Sequence, residues 1–439
     1  MQPRFPSLMR RRRPAPGLAV GLALAALLGA ARADDLLGIY AQARAADPVL
    51  AQARAQRGVQ AELLAQSRAP LLPQWSLSAE EERSEGQRSR SAASHLSQVL
   101  VDLSQLRSLD AAQARLEAED ARLRAAEQQL CARVAQAYFQ VLSAQSALET
   151  AEANEAAFAQ QVSQAQTRYE AGLSALVDVE QARAYHGLSR GQTQQSRQQL
   201  ADARQALAEI TGQLPGSLQA LSSQLPTPPL QPQDAEAWVA RALSQQPLLQ
   251  AAQGSLRASE RRIDAARASH LPTLSLGLDS QRRSGFGVPA ADAGRRVNTV
   301  AVRLSVPLFA GGATQSLQRQ AVHERDQQRE QLEATRRALV RETQAQVLAV
   351  KLGIEQVASS AAAVQAAERA LAATRAGQAL GTRSLTDLLL AIQTHAQARN
   401  AHAQARHAYV LATLQLQAAV GQLGEAELAR VNQLLQGAS

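Results

Sequence analysis

Gly172-Leu-Ser-Ala-Leu-Val-Asp178 is answered later in the chain by Gly381-Thr-Arg-Ser-Leu-Thr-Asp387, and this pair decides the fold. In both copies the Asp follows the Gly by six residues, and a long Ala/Gln/Arg-rich run lies on either side. In both, the second run closes on Gly-Gln-Leu, at Gly212 and at Gly421, 34 positions after the Asp. The pattern predicts a turn between two long helices, built twice. Gly172 and Gly381 supply the left-handed residue that ends the first helix. Ser174 or Ser384 caps the second, and Asp178 or Asp387 falls in its first turn, where the helix dipole favours a carboxylate.

Composition agrees with long helices rather than ordinary globular domains. Aromatics are only 3% of 439 residues, while Ala and Gln dominate. A compact core wants bulky side chains, whereas helices packed through small residues do not. An elongated helical protein is expected.

The formal charge of +8 raises nucleic-acid binding until it is located. Six arginines and no acid lie in residues 1–33, and without them the balance is +2. The remaining charges are mixed along helical stretches with no basic block among aromatics, so no nucleic-acid partner is expected. Arg10–Arg13, the apolar run Leu18–Leu28 and Ala31-Arg32-Ala33 read as a secretory leader over 1–33. No later stretch reaches ~18 consecutive apolar residues, so no membrane-spanning helix is expected in the mature chain. Cys131 is alone and reads as a small buried hydrophobe.

The first copy covers 34–214. A helix over about 36–67 is broken at Asp47-Pro48, and Pro70-Leu-Leu-Pro73 ends it. Alternation at Trp75-Ser-Leu-Ser and at His95–Asp102, with a polar loop over Glu80–Ser91 between them, predicts a hairpin over about 72–102. A helix from about Ser104 to Glu170, the turn 171–178 and a return helix follow. Residues 215–233 form a Pro-rich linker.

The second copy covers 234–423. Gln246-Pro247 echoes Asp47-Pro48 and Leu271-Pro272 echoes Leu72-Pro73, both at an offset of 199. Its hairpin spans about 271–309 with a longer loop over 281–298, its turn is 380–387, and the tail 424–439 reads as a short helix and a loose end. Neither hairpin is stable alone. Four strands of membrane-spanning length in an exported chain can satisfy their edges by pooling strands between subunits.

The order and wording of these motifs resemble the TolC family of trimeric outer-membrane channel-tunnels. The resemblance rests on Leu36–Leu50, Ala69-Pro-Leu-Leu-Pro73, Ala137-Tyr-Phe139, Val177-Asp-Val179 and His270-Leu-Pro-Thr-Leu274. Ser305-Val-Pro-Leu-Phe309 with Gly311-Gly312, and Gly381-Thr-Arg383 with Asp387, complete it. It implies a mostly helical chain with two tandem repeats, forming a homotrimer with a twelve-stranded barrel (four strands per chain) in the outer membrane. A helical coiled-coil tunnel would continue it into the periplasm. It further implies a passive exit duct for type I secretion or multidrug efflux, without catalysis or cofactor. Its partners would be a periplasmic adaptor, an inner-membrane transporter (ABC or proton-driven) and outer-membrane lipid.

By position in that family, Asp178 and Arg383 match a pair that constrains the periplasmic entrance, and Asp387 matches a pore-ring aspartate. Leu390 stands where a second ring aspartate is expected and Gln378 where a latch tyrosine is expected. The turns at Gly172, Leu173, Ser174 and at Gly381, Thr382, Ser384 match the docking site of adaptor hairpins.

Two other classes compete. An enzyme is disfavoured: no two histidines stand at i,i+4, and His395 and His402 are about 10 Å apart on a helix, too far to share a metal. Gly285-Phe-Gly287 lacks the rest of a nucleotide-binding fingerprint. A periplasmic adaptor or another secreted coiled-coil protein fits long helical hairpins, but two such hairpins in tandem repeat argue against it.

Overall fold

The computed structural model describes residues 34–84, 86–289 and 291–436. The expected leader over 1–33 lies outside them. The chain begins with α1 (Leu36–Ala46) and α2 (Pro48–Arg68), separated where Asp47 takes an extended conformation before Pro48. Strands β1 (Gln74–Ser84) and β2 (Gln87–Val101) form the first hairpin. Helix α3 (Leu103–Glu170) then runs 68 residues, about 100 Å at 1.5 Å per residue. Helix α4 (Leu176–Thr211) returns beside it.

A two-residue strand β3 (Ala220–Leu221) leads into the second copy. This comprises α5 (Ala235–Gln245), α6 (Pro247–Ala268), β4 (Thr273–Gly285), β5 (Arg296–Ser305), α7 (Ala313–Ala379) and α8 (Leu385–Ala419). Helix α9 (Glu425–Asn432) and β6 (Leu435–Gln436) close the chain.

The two hairpins merge into one antiparallel sheet of order β1-β2-β4-β5, which leaves β1 and β5 as open edges. The strands run straight through much of the polar segment expected as loop at Glu80–Ser91. The cause is cross-strand charge pairing. Glu81 faces Arg90 and accepts from it at 2.9 Å and from Arg88 at 2.8 Å. Opposite charges across a ladder stabilise it, so a polar stretch serves as strand. The second loop likewise shrinks to residues 286–295.

The sheet has two unlike faces. One rung sets Trp75, Leu96, Leu278 and Val300 side by side, and the rungs nearer the helices add Leu276 with Val302 and Leu274 with Leu304. Trp75, Val300, Val302 and Leu304 are 66–76% exposed, so among the described residues nothing covers this apolar face. The opposite face carries Ser76, His95, Asp279 and Thr299 on one rung, with a 2.5 Å hydrogen bond between His95 Nδ1 and Asp279 Oδ1. An apolar face without cover and a polar face behind it is the pattern of a lipid-exposed barrel wall with a wet interior.

The largest core lies midway along the helices, where both copies meet. Leu36, Ile39, Leu130, Val134, Tyr138 and Phe139 are fully buried there against Leu207, Val410 and Leu416. Tyr138 donates to the carbonyls of Gln219 (2.8 Å) and Asp34 (3.2 Å), tying the long helix to the segment between the copies. Ser143 Oγ and His407 Nδ1 share a 2.8 Å hydrogen bond. Burial, reinforced by the Arg406 charge, pushes His407 down to about 4, so it packs there as a neutral ring. Cys131 is buried, as expected.

One expectation is corrected. Through Gln436 the tail is not loose: β6 pairs with β3, and Ser222 N donates to Leu434 O at 2.8 Å, so this segment is pinned by a partner some 215 residues upstream. Helix α7 also contains an 18-residue window of mean hydropathy 1.4, apolar enough by length and composition to cross a membrane. Its Ala and Val residues raise that score without forming an unbroken apolar run. Helix α7 as a whole packs on α8, α6 and α5.

Candidate functional site: the paired helical turns

The two turns are built with the same hydrogen bonds. At the end of α3, Gly172 (φ 73°) donates to Tyr169 O at 2.9 Å and Leu173 N donates to Arg168 O at 2.8 Å. At the end of α7, Gly381 (φ 75°) donates to Gln378 O at 3.1 Å and Thr382 N donates to Gly377 O at 2.8 Å. Each is a left-handed glycine closure that satisfies the last helical carbonyls. Gln378, half-buried, thus serves the turn through its main chain.

The following caps differ. Ser384 N-caps α8: its hydroxyl accepts from Asp387 N at 3.0 Å, and Asp387 Oδ2 accepts from Ser384 N at 3.1 Å. Hydrogen bonding to the carboxylate by the Ser384 amide first and the Ser384 hydroxyl next holds the Asp387 carboxyl below the ordinary carboxylate value, helped by the Arg383 charge. In the first copy the cap residue is Ala175, which has no side-chain acceptor. The expectation that Ser174 caps α4 is therefore wrong. Its hydroxyl is buried one residue too early and has no hydrogen-bond partner. Ser384→Ala is expected to cost about 1 kcal/mol of local helix stability, read as faster amide exchange at Leu388. Ser174→Ala should leave exchange in α4 unchanged.

Asp178 is half-buried in the first turn of α4, while Arg383, Asp387 and Leu390 are exposed. Among the described residues, neither Asp178 nor Arg383 has an ion-pair partner, so the structure does not bring them together within one chain. Asp387, Leu390 and Thr394 lie on one exposed stripe of α8. Leu173, Leu176, Val177 and Leu380 project from the turn ends, between 53% and 80% exposed.

What joins the two hairpins near their tips escaped the reading of the sequence. Thr386 Oγ1 donates to Gln181 Oε1 at 2.8 Å between α8 and α4. Leu385 packs both on Ala165, Val179 and Ala182 and on a cluster of Phe158, Leu371, Leu388, Leu389 and Ile392. Phe158 and Tyr185 meet in a tilted ring contact, centroids 5.6 Å apart. Leu385 occupies the repeat position of Leu176, so the repeat offset of 209 marks it as a candidate, but only packing separates a bridging leucine from an exposed one. No group of three or more His, Cys, Asp or Glu able to hold a metal occurs among the described residues.

Comparison with known proteins agrees with this architecture. The profile of the family described as "Outer membrane efflux protein" matches residues 39–213 and again 238–422. Outer membrane protein TolC of Vibrio cholerae is 34% identical over 425 residues, covering 94% of this chain and 97% of that protein. The alkaline protease secretion protein AprF of Pseudomonas aeruginosa is 29% identical over 309 residues, covering 68% of this chain and 63% of that protein. Among solved structures, the Campylobacter jejuni CmeC outer membrane channel superposes with a TM-score of 0.79 at 17% identity, covering 98% of both chains. The adaptor alternative falls with these matches. Two tandem helical hairpins, a four-stranded sheet with an uncovered apolar face and a profile matched once per repeat place the chain in the TolC family of outer membrane efflux proteins.

Proposed function

We propose that three copies of this chain pool their strands into a twelve-stranded barrel and their helices into a tunnel, forming the exit duct of a tripartite export system. The single observation that carries this reading is the four-stranded sheet with two open edges and an uncovered apolar face. Open edges of that length are untenable in lipid, and pairing β5 of one copy with β1 of the next removes them. A periplasmic adaptor docks on the exposed turns at Gly172, Leu173, Ser174 and Gly381, Thr382, Ser384, where leucines without cover offer apolar anchors. The adaptor couples the duct to an ABC or proton-driven inner-membrane transporter. The cargo is exported protein, small toxic compounds or both, and similarity to a protease secretion protein supports the first. The duct itself does no chemistry.

The resting duct is closed at the turns. Asp178 and Arg383, unpaired within the chain, are the groups available to link neighbouring copies there. Planar-bilayer conductance tests this. The parent should show small, stable openings, and Asp178→Ala and Arg383→Ala should show openings several-fold larger. A protein that stays soluble without detergent and forms no channel would overturn the duct.

The stripe Asp387-Leu390 sets the cation response of the constriction. One carboxylate per chain gives three in a ring, and Leu390 adds an apolar girdle beside them. Block by multivalent cations should be weak and should vanish in Asp387→Ala, while Leu390→Asp should strengthen it. Strong block that persists in Asp387→Ala would place the cation site elsewhere.

A further inference from the structure

The strand tips divide their charges between the two faces. Register puts Ala79, Ala92, Arg282 and Arg296 on one rung, on the same side as Trp75 and Val300 and four residues farther from the helices. Beyond it on that outward side follow Glu81 with Arg90, then Arg83 with Arg88. Among the described strand residues the outward tips therefore hold five arginines against one glutamate. The inward side of the same segments holds Glu80, Glu82 and Arg283. Glu81 is already shared by Arg88 and Arg90.

Arg282 and Arg296 are the unusual pair. They stand directly opposite each other across β4 and β5, both are exposed, and among the described residues neither has an ion-pair partner. Like charges directly opposite destabilise a ladder. An anion between them reverses the sign, and two guanidinium forks on Cβ atoms about 5 Å apart match phosphate oxygens.

A second observation names the rest of the ligand. Below this rung, on the same outward face, lies a shallow groove of about 410 Å³. Trp75, Leu96, Leu278 and Val300 line it, with Ser94 and Asn298 at the end nearer the arginines. Trp75 Nε1 donates to Ser94 Oγ at 2.8 Å, which anchors the indole at the groove. An apolar groove running into a basic rung fits an amphiphile that carries a phosphate.

We propose that Arg282 and Arg296, backed by Arg83, Arg88 and Arg90, bind the phosphate headgroup of an anionic lipid of the outer leaflet, with an acyl chain lying in the Trp75 groove. This rests on reading the apolar sheet face as lipid-facing. The distal end of the sheet, away from the tunnel helices, places the site at the outer leaflet.

The test uses the full trimer in nanodiscs of phosphatidylcholine doped with a bis-phosphorylated glucosamine lipid, and counts lipids retained on the trimer by native mass spectrometry. The parent should keep the phosphorylated lipid through detergent exchange. The double variant Arg282→Gln/Arg296→Gln should bind it about tenfold more weakly, the loss expected for one or two charge-assisted bonds. Arg303→Gln, on the inward face, should behave as the parent. Equal retention in the double variant, equal retention of phosphatidylcholine, or full displacement by millimolar inorganic phosphate would each overturn the lipid site. Heat-modifiable trimer bands and bilayer conductance on the same samples separate the two readings. A conducting trimer without lipid loses only this site, and a protein that forms neither trimer nor channel loses the duct and the site together.

Discussion

Arg133→Ala should cost about 3 kcal/mol of folding stability, the scale expected when one partner of a buried ion pair is removed. Asp47 is 3% exposed at the break between α1 and α2. Its carboxylate accepts Leu50 N at 2.7 Å as the cap of α2, and it takes both arms of the Arg133 guanidinium at 3.0 and 2.8 Å. Burial alone pushes this carboxyl up. The hydrogen bonds from Arg133 and Leu50, with the guanidinium charge, outweigh it and hold the group below its ordinary 3.8. The alanine variant leaves a charge buried with only the Leu50 and Val49 amides for company.

The sign with pH follows from linkage. In the parent the folded value lies below the unfolded one, so Asp47 stabilises above about pH 4 and that contribution fades as pH falls through the folded value. Without Arg133 the folded value moves up, because burial keeps raising it while the guanidinium no longer lowers it. The deficit of Arg133→Ala is therefore largest at neutral pH and shrinks toward pH 4. Urea unfolding of the detergent-solubilised protein at fixed protomer concentration, followed through buried Trp238, measures it. A deficit that grows on acidification would contradict the account. The repeat solves the same junction otherwise: Gln246, the counterpart of Asp47, donates to Ala418 O and Ala419 O at 2.9 and 3.1 Å and so ties the break to the end of α8.

Gly421→Ala should be comparably severe, at about 3 kcal/mol, and more severe than Gly212→Ala at about 1–2 kcal/mol. Both glycines are left-handed, with φ of 77° and 78°, and both end return helices at repeat-equivalent positions. Their surroundings differ. A Cβ on Gly421 would stand 2.8 Å from Gln245 O and from Gln246 Cα, which are backbone atoms of the α5–α6 break. A Cβ on Gly212 would meet only the methyl of Ala46, at 3.3 Å. The left-handed penalty is common to both, and the overpacking falls almost wholly on Gly421. Melting temperatures of the two variants under identical conditions give the comparison, and equal losses would mean that the conformational penalty alone matters.

Much of the architecture was legible without coordinates. The duplicated Gly-to-Asp spacing predicted two helical hairpins, and the Schellman closures at Gly172 and Gly381 carry it out with matching bonds. Asp47-Pro48 and Gln246-Pro247 announced the helix breaks. What was misread turned on cap register and on cross-strand pairing. Ser174 follows Gly172 by two residues and Ser384 follows Gly381 by three, so only Ser384 stands one residue before its helix. Glu80–Ser91 looks like loop until Glu81 meets Arg88 and Arg90 across the ladder.

By itself, then, the sequence determined the two repeats, the scarcity of aromatics, the long helices and the turns that reverse them. All of these follow from local rules: helix period, glycine at positive φ, proline before extended backbone. Only the tertiary structure decided which face of the sheet is apolar along its whole width and that Arg282 faces Arg296. It alone decided that Leu385 bridges the hairpins while Leu176 stays exposed, that the chain end pairs with the segment between the repeats, and that Asp47 is locked by Arg133. The physical reason is that register and burial are set by contacts between residues far apart in the chain, and local propensity carries no record of which partner will be there.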